Sequence, residues 1–450
     1  MHSANREPFR LPDIAMRIRR PRHPLRVLTL FGLAVFICAL FLLVPEAQTP
    51  NALGRNDLLS RLDREVFKKC QLHPTTEACL LNSTIFHTIA NEGGNCSLKV
   101  LTKNCPVFLM AHRYLEVPVS QEEKAFPLAF SVRMHRSPAQ MERLLRAIYR
   151  PHNFYCIHVD AKAEAEVYDI IAAVGACVPN VNVLVDRVRI SYGTHGDGIV
   201  RADLKCMQAA LASQVKWMYL LTLCGEEFPL RTNLEIVTIL KLFRGANDVE
   251  AYQHPRNILR WFFGSVRRRG DVYKNGVLTL NSSPGSLQFV VKKGSAYASY
   301  TRQFVQAVFE DKRAKTILGW FNDTFAPEEN VWATINAMPG IPGGYPVDAK
   351  HELNQQASRA VVWTRDRYKC KGENVHSVCV FGMGDLPWLS RQPQFFANKF
   401  KEEKDSRVLD CLEARLFQRA VSADAAVNYA YFEGLPHVRF YRNGGGPINV

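Results

Sequence analysis

The pattern of apolar and polar positions divides the chain into three parts. An uncharged apolar run covers Val27 to Val44, and a polar, irregular stretch continues from there to about residue 124. Beyond it, apolar runs typical of buried strands, at Phe126 to Met134, Asn153 to Asp160 and Val181 to Asp186, alternate with stretches of helical periodicity. Strands and helices alternating at this spacing predict right-handed crossovers and a largely parallel sheet with helices on its faces. The predicted fold class is therefore α/β.

The run from Val27 to Val44 is 18 residues long, enough to cross a bilayer as a helix. The formal net charge is +15, and the first 26 residues contribute +5 of it, from seven arginines against Glu7 and Asp13. By the positive-inside rule this basic side stays cytoplasmic, and the chain after the run faces the lumen or the outside. We interpret the run as an uncleaved signal anchor. A cleaved signal peptide is the alternative, but the run exceeds a usual signal-peptide core.

This topology predicts five segments along the chain. They are a cytoplasmic tail (1–26), a transmembrane signal anchor (27–44), a stem with a disulfide-tied lead-in (45–124), a lumenal domain (125–420) and a C-terminal tail (421–450). We expect the C-terminal tail to be poorly ordered, because it is a chain terminus and carries a run of three glycines.

The cysteines and glycosylation sequons agree with a lumenal domain. Eleven of the twelve cysteines would face an oxidising compartment, where scattered cysteines favour disulfides over a metal site. The sequons at Asn82, Asn281 and Asn322 are predicted glycosylation sites. No compact basic patch with interleaved aromatic residues indicates nucleic acid as a partner, but a basic cleft for phosphates remains open.

Several carboxylates lie where a parallel sheet would collect its ligands, beyond the carboxyl ends of its strands. Asp160 ends a predicted strand and could hold a nucleotide or cap a helix. Glu226 and Glu227 lie in a turn after another strand, either as site carboxylates or as solvated loop residues, and we favour the latter. Glu328 and Glu329 follow a proline, where a catalytic base competes with an ordinary helix start.

The order of several motifs then resembles a known family. FPLAFSV, ERLLRAIYRPHNFYCIHVDAKA, LCGEEFPLRTN, GSAY, FAPEENVWATI and FANKF follow one another as in the core 2 and I-branching β-1,6-N-acetylglucosaminyltransferases. The resemblance covers about Lys124 to Leu416. It implies a single-pass type II Golgi membrane protein with a nucleotide-sugar transferase A-type fold, a Rossmann-like, largely parallel sheet flanked by helices.

The activity implied by the resemblance is an inverting transfer of N-acetylglucosamine. The donor is UDP-N-acetylglucosamine, and the acceptor is the 6-hydroxyl of a galactose or N-acetylgalactosamine residue in O-glycans or poly-lactosamine. No divalent metal is expected, and in agreement no Asp-X-Asp follows the strand that ends at Asp160. The expected partners are the donor, glycan acceptors on glycoproteins and the membrane, without nucleic acid; a homodimer is left open.

The resemblance implies Glu329 as the general base, with Glu328 as a supporting neighbour. It implies that a lysine and an arginine neutralise the departing diphosphate; the lysine matches Lys399, but the arginine position is His376. Histidine is not permanently charged at neutral pH. Either His376 acts as imidazolium, or a neighbour such as Arg365 or Lys371 contributes, or activity is weak.

Other roles are carried over position by position. Asp160 and Tyr192 match contacts to the nucleotide sugar, and the acceptor contacts match Glu250, Arg260 and Trp363. Arg365 stands where the family has a tyrosine, and Glu227 where it has an aspartate. The implied disulfides are Cys105 with Cys177, Cys156 with Cys206, Cys370 with Cys379 and Cys70 with Cys411; Cys224 is left free, and Cys79 could pair with Cys96.

Two alternative functions remain. One is a catalytically weak or silent lumenal glycan-binding protein of the same fold, because of His376 and Arg365. The other is an enzyme similar to the protein O-xylosyltransferases, against which the FANKF and PEENVWATI motifs argue.

Overall fold

A computed structural model describes residues 94–114, 117–191, 196–252, 266, 269–274, 277–280, 287–346, 356–422 and 427–446. The expected cytoplasmic tail, the signal anchor and the stem up to residue 93 lie outside these residues. Within the described part of the chain, no helix is both long enough and apolar enough to cross a membrane.

The described residues form both strands and helices. The strands are β1 (Leu128–Met134), β2 (Phe154–Val159), β3 (Val181–Val183), β4 (Tyr219–Cys224), β5 (Glu227–Pro229), β6 (Asp248–Tyr252), β7 (Val272–Lys274), β8 (Val277–Thr279), β9 (Gln288–Val290), β10 (Lys293–Thr301), β11 (Arg359–Val361), β12 (Glu373–Val375), β13 (Val378–Val380) and β14 (Phe396–Asn398). The α-helices are Gly94–Leu101, Cys105–Ala111, Gln121–Lys124, Pro138–Ile148, Ala165–Cys177, Gly198–Ala212, Asn233–Leu242, Arg302–Glu310, Lys312–Phe321, Val331–Asn336, Leu386–Leu389, Arg407–Ser422, Tyr429–Glu433 and Pro436–Arg442, and two 3-10 turns are Pro327–Glu329 and Met383–Asp385.

The central sheet has six strands in the order β3-β2-β1-β4-β10-β6. The first four strands, β1 to β4, run parallel to one another, and β10 is antiparallel to both β4 and β6. The sheet is therefore largely parallel, with one reversed strand. This confirms the predicted α/β class with a parallel-rich sheet.

Both faces of the sheet are buried, which explains the continuous apolar runs in the sequence. All seven residues of β1 are buried. Its alternate side chains enter two different cores, Phe130 and Val132 on one face and Ala129 on the other. The helix Gly198–Ala212 packs on β1 and β2 on the second face, and the disulfide between Cys156 and Cys206 joins that helix to β2.

The reversed strand extends past the edge at which the parallel strands end. Ser299 of β10 pairs with Leu221 in the middle of β4, so the first residues of β10 lie beyond the carboxyl end of β4. β6 ends at the same edge, where Tyr252 pairs with Lys293. This edge is where the ligands of such sheets collect.

A second, three-stranded sheet, in the order β11-β14-β5, adjoins the same edge. Two residues separate the end of β4 from the start of β5, and the first residue of β5, Glu227, pairs with Asn398 at the end of β14. β12 and β13 form a separate hairpin. The two sheets and the hairpin together surround the carboxyl ends of the parallel strands.

Three disulfides join the pairs that the resemblance implied: Cys105 with Cys177, Cys156 with Cys206, and Cys370 with Cys379. Cys224 forms no disulfide among the described residues. Cys411 is buried in the helix Arg407–Ser422, and its expected partner Cys70 lies outside the described residues, as does Cys79. Asn322 is exposed at the end of the helix Lys312–Phe321, whereas Asn82 and Asn281 lie outside the described part.

The segment expected to be a poorly ordered C-terminal tail contains two helices of the domain. Phe432 and Val438 are fully buried in the same core as Phe130 and Val132 of β1, and the side chain of His437 is also buried. The few apolar positions of this segment lie in two short helices before the glycine run. Such short helices give little periodicity, and packing against the domain rather than propensity holds them.

Candidate active site

An open cleft lies at the carboxyl edge, and its lining comes from the ends of β1, β4 and β14, from β10 and from the hairpin. We call it the basic cleft and define it by its polar lining residues Arg133, His135, Arg136, Glu226, Tyr297, His376, Asn398, Lys399 and Lys401. Glu226 is the single carboxylate among them. The cleft brings together Lys399 and His376, the two residues expected to face the diphosphate.

His376 reaches the cleft from the tip of the β12–β13 hairpin. The register pairs Val375 with Val378, so His376 and Ser377 form a two-residue turn. Both have positive φ, 51° and 68°, as a type I′ hairpin turn requires. The amide of Thr364 donates to the carbonyl of Ser377 at 3.0 Å and holds the turn in place. The imidazole is exposed on this tip.

Glu226 connects two cations of the cleft. Its Oε1 accepts a hydrogen bond of 2.7 Å from Nε of Arg136, which also donates through Nη2, and its Oε2 lies 3.9 Å from Nζ of Lys399. The carbonyl of Glu226 accepts from the amide of Phe400 at 2.7 Å, which fixes the chain beside Lys399. Glu226 is therefore a cleft residue, whereas the sequence favoured a solvated loop residue.

Glu227, its neighbour, is fully buried. Its Oε1 lies 2.9 Å from Nε of Arg359 and accepts a hydrogen bond of 3.0 Å from Asn398, and its Oε2 accepts from the amide of Cys224 at 3.3 Å. Burial raises the pKa of Glu227, and the Arg359 guanidinium opposes that shift. The expectation of a solvated loop residue is wrong here, because Glu227 ties the end of β4 to β14 and β11.

Asp160 organises the loop after β2. Its Oδ1 accepts from the amides of Lys162, at 2.9 Å, and Ile190, at 3.2 Å, and its Oδ2 lies 4.0 Å from Nζ of Lys162. The residue is buried and does not line the basic cleft, although it lies at the same edge of the sheet. Tyr192, the other expected nucleotide contact, lies outside the described residues.

The adjacent carboxylates of the 3-10 turn Pro327–Glu329 face different environments. Glu328 is buried, and burial raises its pKa to about 7; the charge of Glu329 adds to the rise, and Arg133 opposes it. The side chain of Glu329 is 34% exposed, and its Oε2 lies 3.4 Å from Nζ of Lys293. A helix does follow, Val331–Asn336, but the pair precedes it in a separate turn and does not form its first turn.

Lys293 lies between Glu329 and Glu250. Burial raises the pKa of Glu250 to about 7; Lys293 lowers it, and the charges of Asp248 and Glu329 raise it. Lys293 is the first residue of β10, and its ammonium lies 5.8 Å from the centre of the Tyr252 ring. Glu250, Lys293 and Glu329 thus lie together, and we call these three residues the carboxylate cluster.

β10 connects the carboxylate cluster to the basic cleft. Tyr297, further along the strand, has the guanidinium carbons of Arg133 and Arg359 at 5.1 and 4.7 Å from its ring centre. Arg133 is paired in turn with buried Asp203 at 2.6 Å. The sequence gave no role to Lys293, Arg136 or Tyr297; GSAY was a motif of the resemblance, but single lysines and arginines carry no local signal.

The remaining expected acceptor residues lie beside the hairpin or outside the described chain. Trp363 is 51% exposed and forms an isolated β-bridge with Val378, next to the His376 turn. Arg365 is exposed, and neither it nor Lys371 lines the basic cleft. Arg260 is not among the described residues.

The described residues contain one cluster with the spacing of a metal site, Cys370, Cys379 and Asp385. The two sulfurs are joined in a disulfide, so they offer no thiolates. Asp385 accepts from the amides of Lys371 and Gly372, at 2.8 and 2.9 Å. The cluster is therefore a structural support for the hairpin.

Comparison with known proteins gives consistent similarities. A family model described as Core-2/I-Branching enzyme matches residues 128–390. A human β-1,3-galactosyl-O-glycosyl-glycoprotein β-1,6-N-acetylglucosaminyltransferase is 37% identical over 336 residues, 71% of this chain and 77% of that protein. A human N-acetyllactosaminide β-1,6-N-acetylglucosaminyl-transferase is 32% identical over 388 residues, 85% of this chain and 90% of that protein.

The buried pair of Glu227 and Arg359 gives a stability prediction. Replacing Arg359 with methionine leaves Glu227 buried without its cation, so we expect the free energy of unfolding to fall by about 3–5 kcal/mol, measured by urea denaturation. The double variant Arg359→Met, Glu227→Leu removes both charges and should recover most of that loss. A single variant as stable as the wild type would contradict a structural role for the pair.

Proposed function

The chain belongs to the core-2/I-branching enzyme family, and we propose that it transfers N-acetylglucosamine from UDP-N-acetylglucosamine to the 6-hydroxyl of a galactose or N-acetylgalactosamine residue. The observation that carries this proposal is the likeness to two kinds of relative, both named as β-1,6-N-acetylglucosaminyltransferases. They differ in the acceptor that their names give, so the transferred sugar and the linkage are the shared part. The arrangement of the site supports the same chemistry.

In this proposal Glu329 is the general base. A sugar hydroxyl is a poor nucleophile until a carboxylate removes its proton during attack on the anomeric carbon. Glu329 is partly exposed, and Nζ of Lys293 lies 3.4 Å from its Oε2. Attack from the face opposite UDP inverts the anomeric centre, and UDP leaves as an anion without a protonating acid.

The basic cleft receives the diphosphate of the donor. Charge develops on the phosphate oxygens as the bond to the sugar breaks, and cations fixed in position stabilise it. Lys399 faces the cleft with only 17% of its side chain exposed, so its charge is poorly screened. His376 is a second contact from the hairpin tip.

The proposed acceptor contacts are the carboxylate cluster and Trp363, which lies beside the hairpin. Glu250 and Glu329 offer hydrogen-bond acceptors to sugar hydroxyls, and Trp363 offers an exposed aromatic face to a sugar ring. Arg260 and Arg365 complete the proposed acceptor contacts. Asp160 and Tyr192 complete the proposed donor contacts.

We also propose a location in the Golgi membrane, with the described domain in the lumen. The support is the apolar run at 27–44, which lies outside the described residues, and the disulfides of the domain, which suit an oxidising compartment.

The assignment of Glu329 predicts a large loss of transfer in Glu329→Gln. We expect turnover to fall about 10²–10⁴-fold, because the amide cannot accept the hydroxyl proton, while UDP binding stays within the error of calorimetry. The assay offers radiolabelled UDP-N-acetylglucosamine with a panel of core 1, core 3 and lactosamine acceptors, and product linkage is read by NMR.

The matched control for this experiment is Glu310→Gln, an exposed glutamate at the end of the helix Arg302–Glu310, which should leave transfer unchanged. Near-normal turnover in Glu329→Gln would remove it as the base. A wild-type protein that binds UDP but forms no 1,6-linked product on any acceptor would favour the silent glycan-binding protein instead. Transfer of xylose from UDP-xylose would favour the xylosyltransferase-like enzyme.

The donor site predicts a transfer that needs no divalent metal. A metal site built on Asp160 would need a second carboxylate close to it as a ligand. The chain instead continues with Ala161 and Lys162, and Nζ of Lys162 lies 4.0 Å from Oδ2 of Asp160. We expect initial rates to be equal with and without an excess of EDTA. A loss of activity in EDTA that Mn²⁺ restores would contradict this prediction.

The raised pKa of Glu250 predicts pH-dependent acceptor binding. With a pKa of about 7, the carboxyl is mostly protonated at pH 6 and mostly ionised at pH 8. The ionised group accepts stronger hydrogen bonds from sugar hydroxyls, so the acceptor should bind roughly tenfold more tightly at pH 8 than at pH 6. The dissociation constant is measured in the wild type with UDP and without the donor sugar, so no transfer occurs and the charge of Glu329, which helps to raise this pKa, is kept.

Glu250→Gln, measured in the same way, is the test of the residue. The amide imitates the protonated acid, so binding should be weak and flat from pH 6 to pH 8. If the slope persists in this variant, another group is responsible; Lys293, Asp248 and Glu329 are the charged groups that act on Glu250.

A further inference from the structure

Arg136 lies in the basic cleft beside Lys399, in a position where the resemblance assigns no role. It follows the carboxyl end of β1, and its side chain is 39% exposed. Its guanidinium and the ammonium of Lys399 face the two oxygens of one carboxylate, Glu226. A single carboxylate thus holds two permanent cations toward the same space.

The charge balance of the cleft leaves a need for such a cation. A metal-independent transfer must neutralise a diphosphate with side chains. Lys399 and Lys401, the two lysines that line the cleft, supply two charges, and Glu226 in the same cleft opposes them. His376 is exposed at a hairpin tip, and a histidine side chain does not carry a permanent charge. Arg133 also lines the cleft, but its charge is balanced by Asp203, and both side chains are buried.

The two substitutes suggested by the sequence are placed less well. Arg365 and Lys371 are exposed, and neither lines the cleft. Lys371 lies two residues before β12, and its amide donates a hydrogen bond to Asp385. Lys401 also lines the cleft, but Arg136 is the side chain that contacts the same carboxylate as Lys399.

Arg136 also has a donor group available. Nε and Nη2 donate to Glu226, whereas Nη1 makes no hydrogen bond to the described residues and lies 4.0 Å from Oε1 of Glu403. Glu403 is 50% exposed, so this contact is weak. A guanidinium presents its donors in a planar fork that matches phosphate oxygens.

We propose that Arg136 is a diphosphate-binding residue, which supplies the permanent positive charge that His376 lacks, and that Glu226 positions Arg136 and Lys399 for it. This inference rests on the proposed function, since it names a contact to the leaving group of the same donor. The phosphate site then includes a residue after the end of β1, in addition to Lys399 and His376, which the sequence comparison assigned to it.

The test compares the binding of UDP and of uridine to the detergent-solubilised full chain. UDP is titrated by calorimetry and uridine by NMR, with Arg136→Gln, Arg136→Lys and the wild type. We expect Arg136→Gln to weaken UDP binding by about tenfold or more, the size of a lost charge-assisted hydrogen bond, and to leave uridine binding unchanged. Arg136→Lys keeps the charge but loses the fork, so its loss should be smaller.

The matched control is Arg442→Gln. Arg442 is paired with Glu433 at 2.8 Å and is 40% exposed, so it resembles Arg136 in exposure and pairing but lies outside the cleft. It should bind UDP as the wild type does. Should Arg136→Gln fail to fold, a severalfold loss of UDP affinity in Arg136→Lys with intact uridine binding still supports the proposal.

Two results would overturn the inference alone: Arg136→Gln binding UDP as tightly as the wild type, or Arg136→Gln weakening UDP and uridine equally. In both cases the wild type still binds UDP and forms product, so the proposed function stands. A wild-type chain that binds neither UDP nor UDP-N-acetylglucosamine would instead defeat the proposed function and, with it, this inference.

Discussion

β10 enters the central sheet against the direction of its neighbours, and the arrangement of the site depends on that reversal. It begins beyond the edge at which β1, β2 and β4 end, so one strand places Lys293 beside Glu329 and Tyr297 in the basic cleft. Arg133 and Arg359 lie on the Tyr297 ring, and each is paired with a buried carboxylate. The strand that joins the two halves of the site is therefore held by charges that would be costly to bury singly.

The charges of the site are separated along this strand. Cations gather where β1, the hairpin and the end of β14 meet, whereas carboxylates gather where β6 and the 3-10 turn meet the start of β10. An inverting transfer needs such a separation, because the leaving group carries negative charge on one face of the sugar and the base acts on the other. Burial weakens the contrast near neutral pH, because it raises the pKa of Glu250 and Glu328 to about 7 and so leaves both carboxyls partly protonated.

Local sequence identified the elements of the sheet better than the roles of its carboxylates. The runs that became β1 and β2 were recognisable because a strand buried on both faces needs apolar residues throughout. Glu226 and Glu227 looked alike in the turn after β4, but one faces an open cleft and the other lies in the core with Arg359. Glu226 lies in the turn whereas Glu227 begins β5, and the environment of each side chain comes from residues distant in the chain.

The sequence by itself determined the α/β class, the carboxylate pair at Glu328 and Glu329, and the family, since ordered motifs and apolar runs are local properties of the chain. Only the tertiary structure decided which charges meet. Arg136 and Lys399 are more than two hundred residues apart in sequence, and they share Glu226 because β1, β4 and β14 converge at one edge. Lys293 and Glu329 likewise meet through the pairing of β10 with β6 and the packing of the 3-10 turn on β10. Such encounters depend on strand direction and register, which no local pattern encodes.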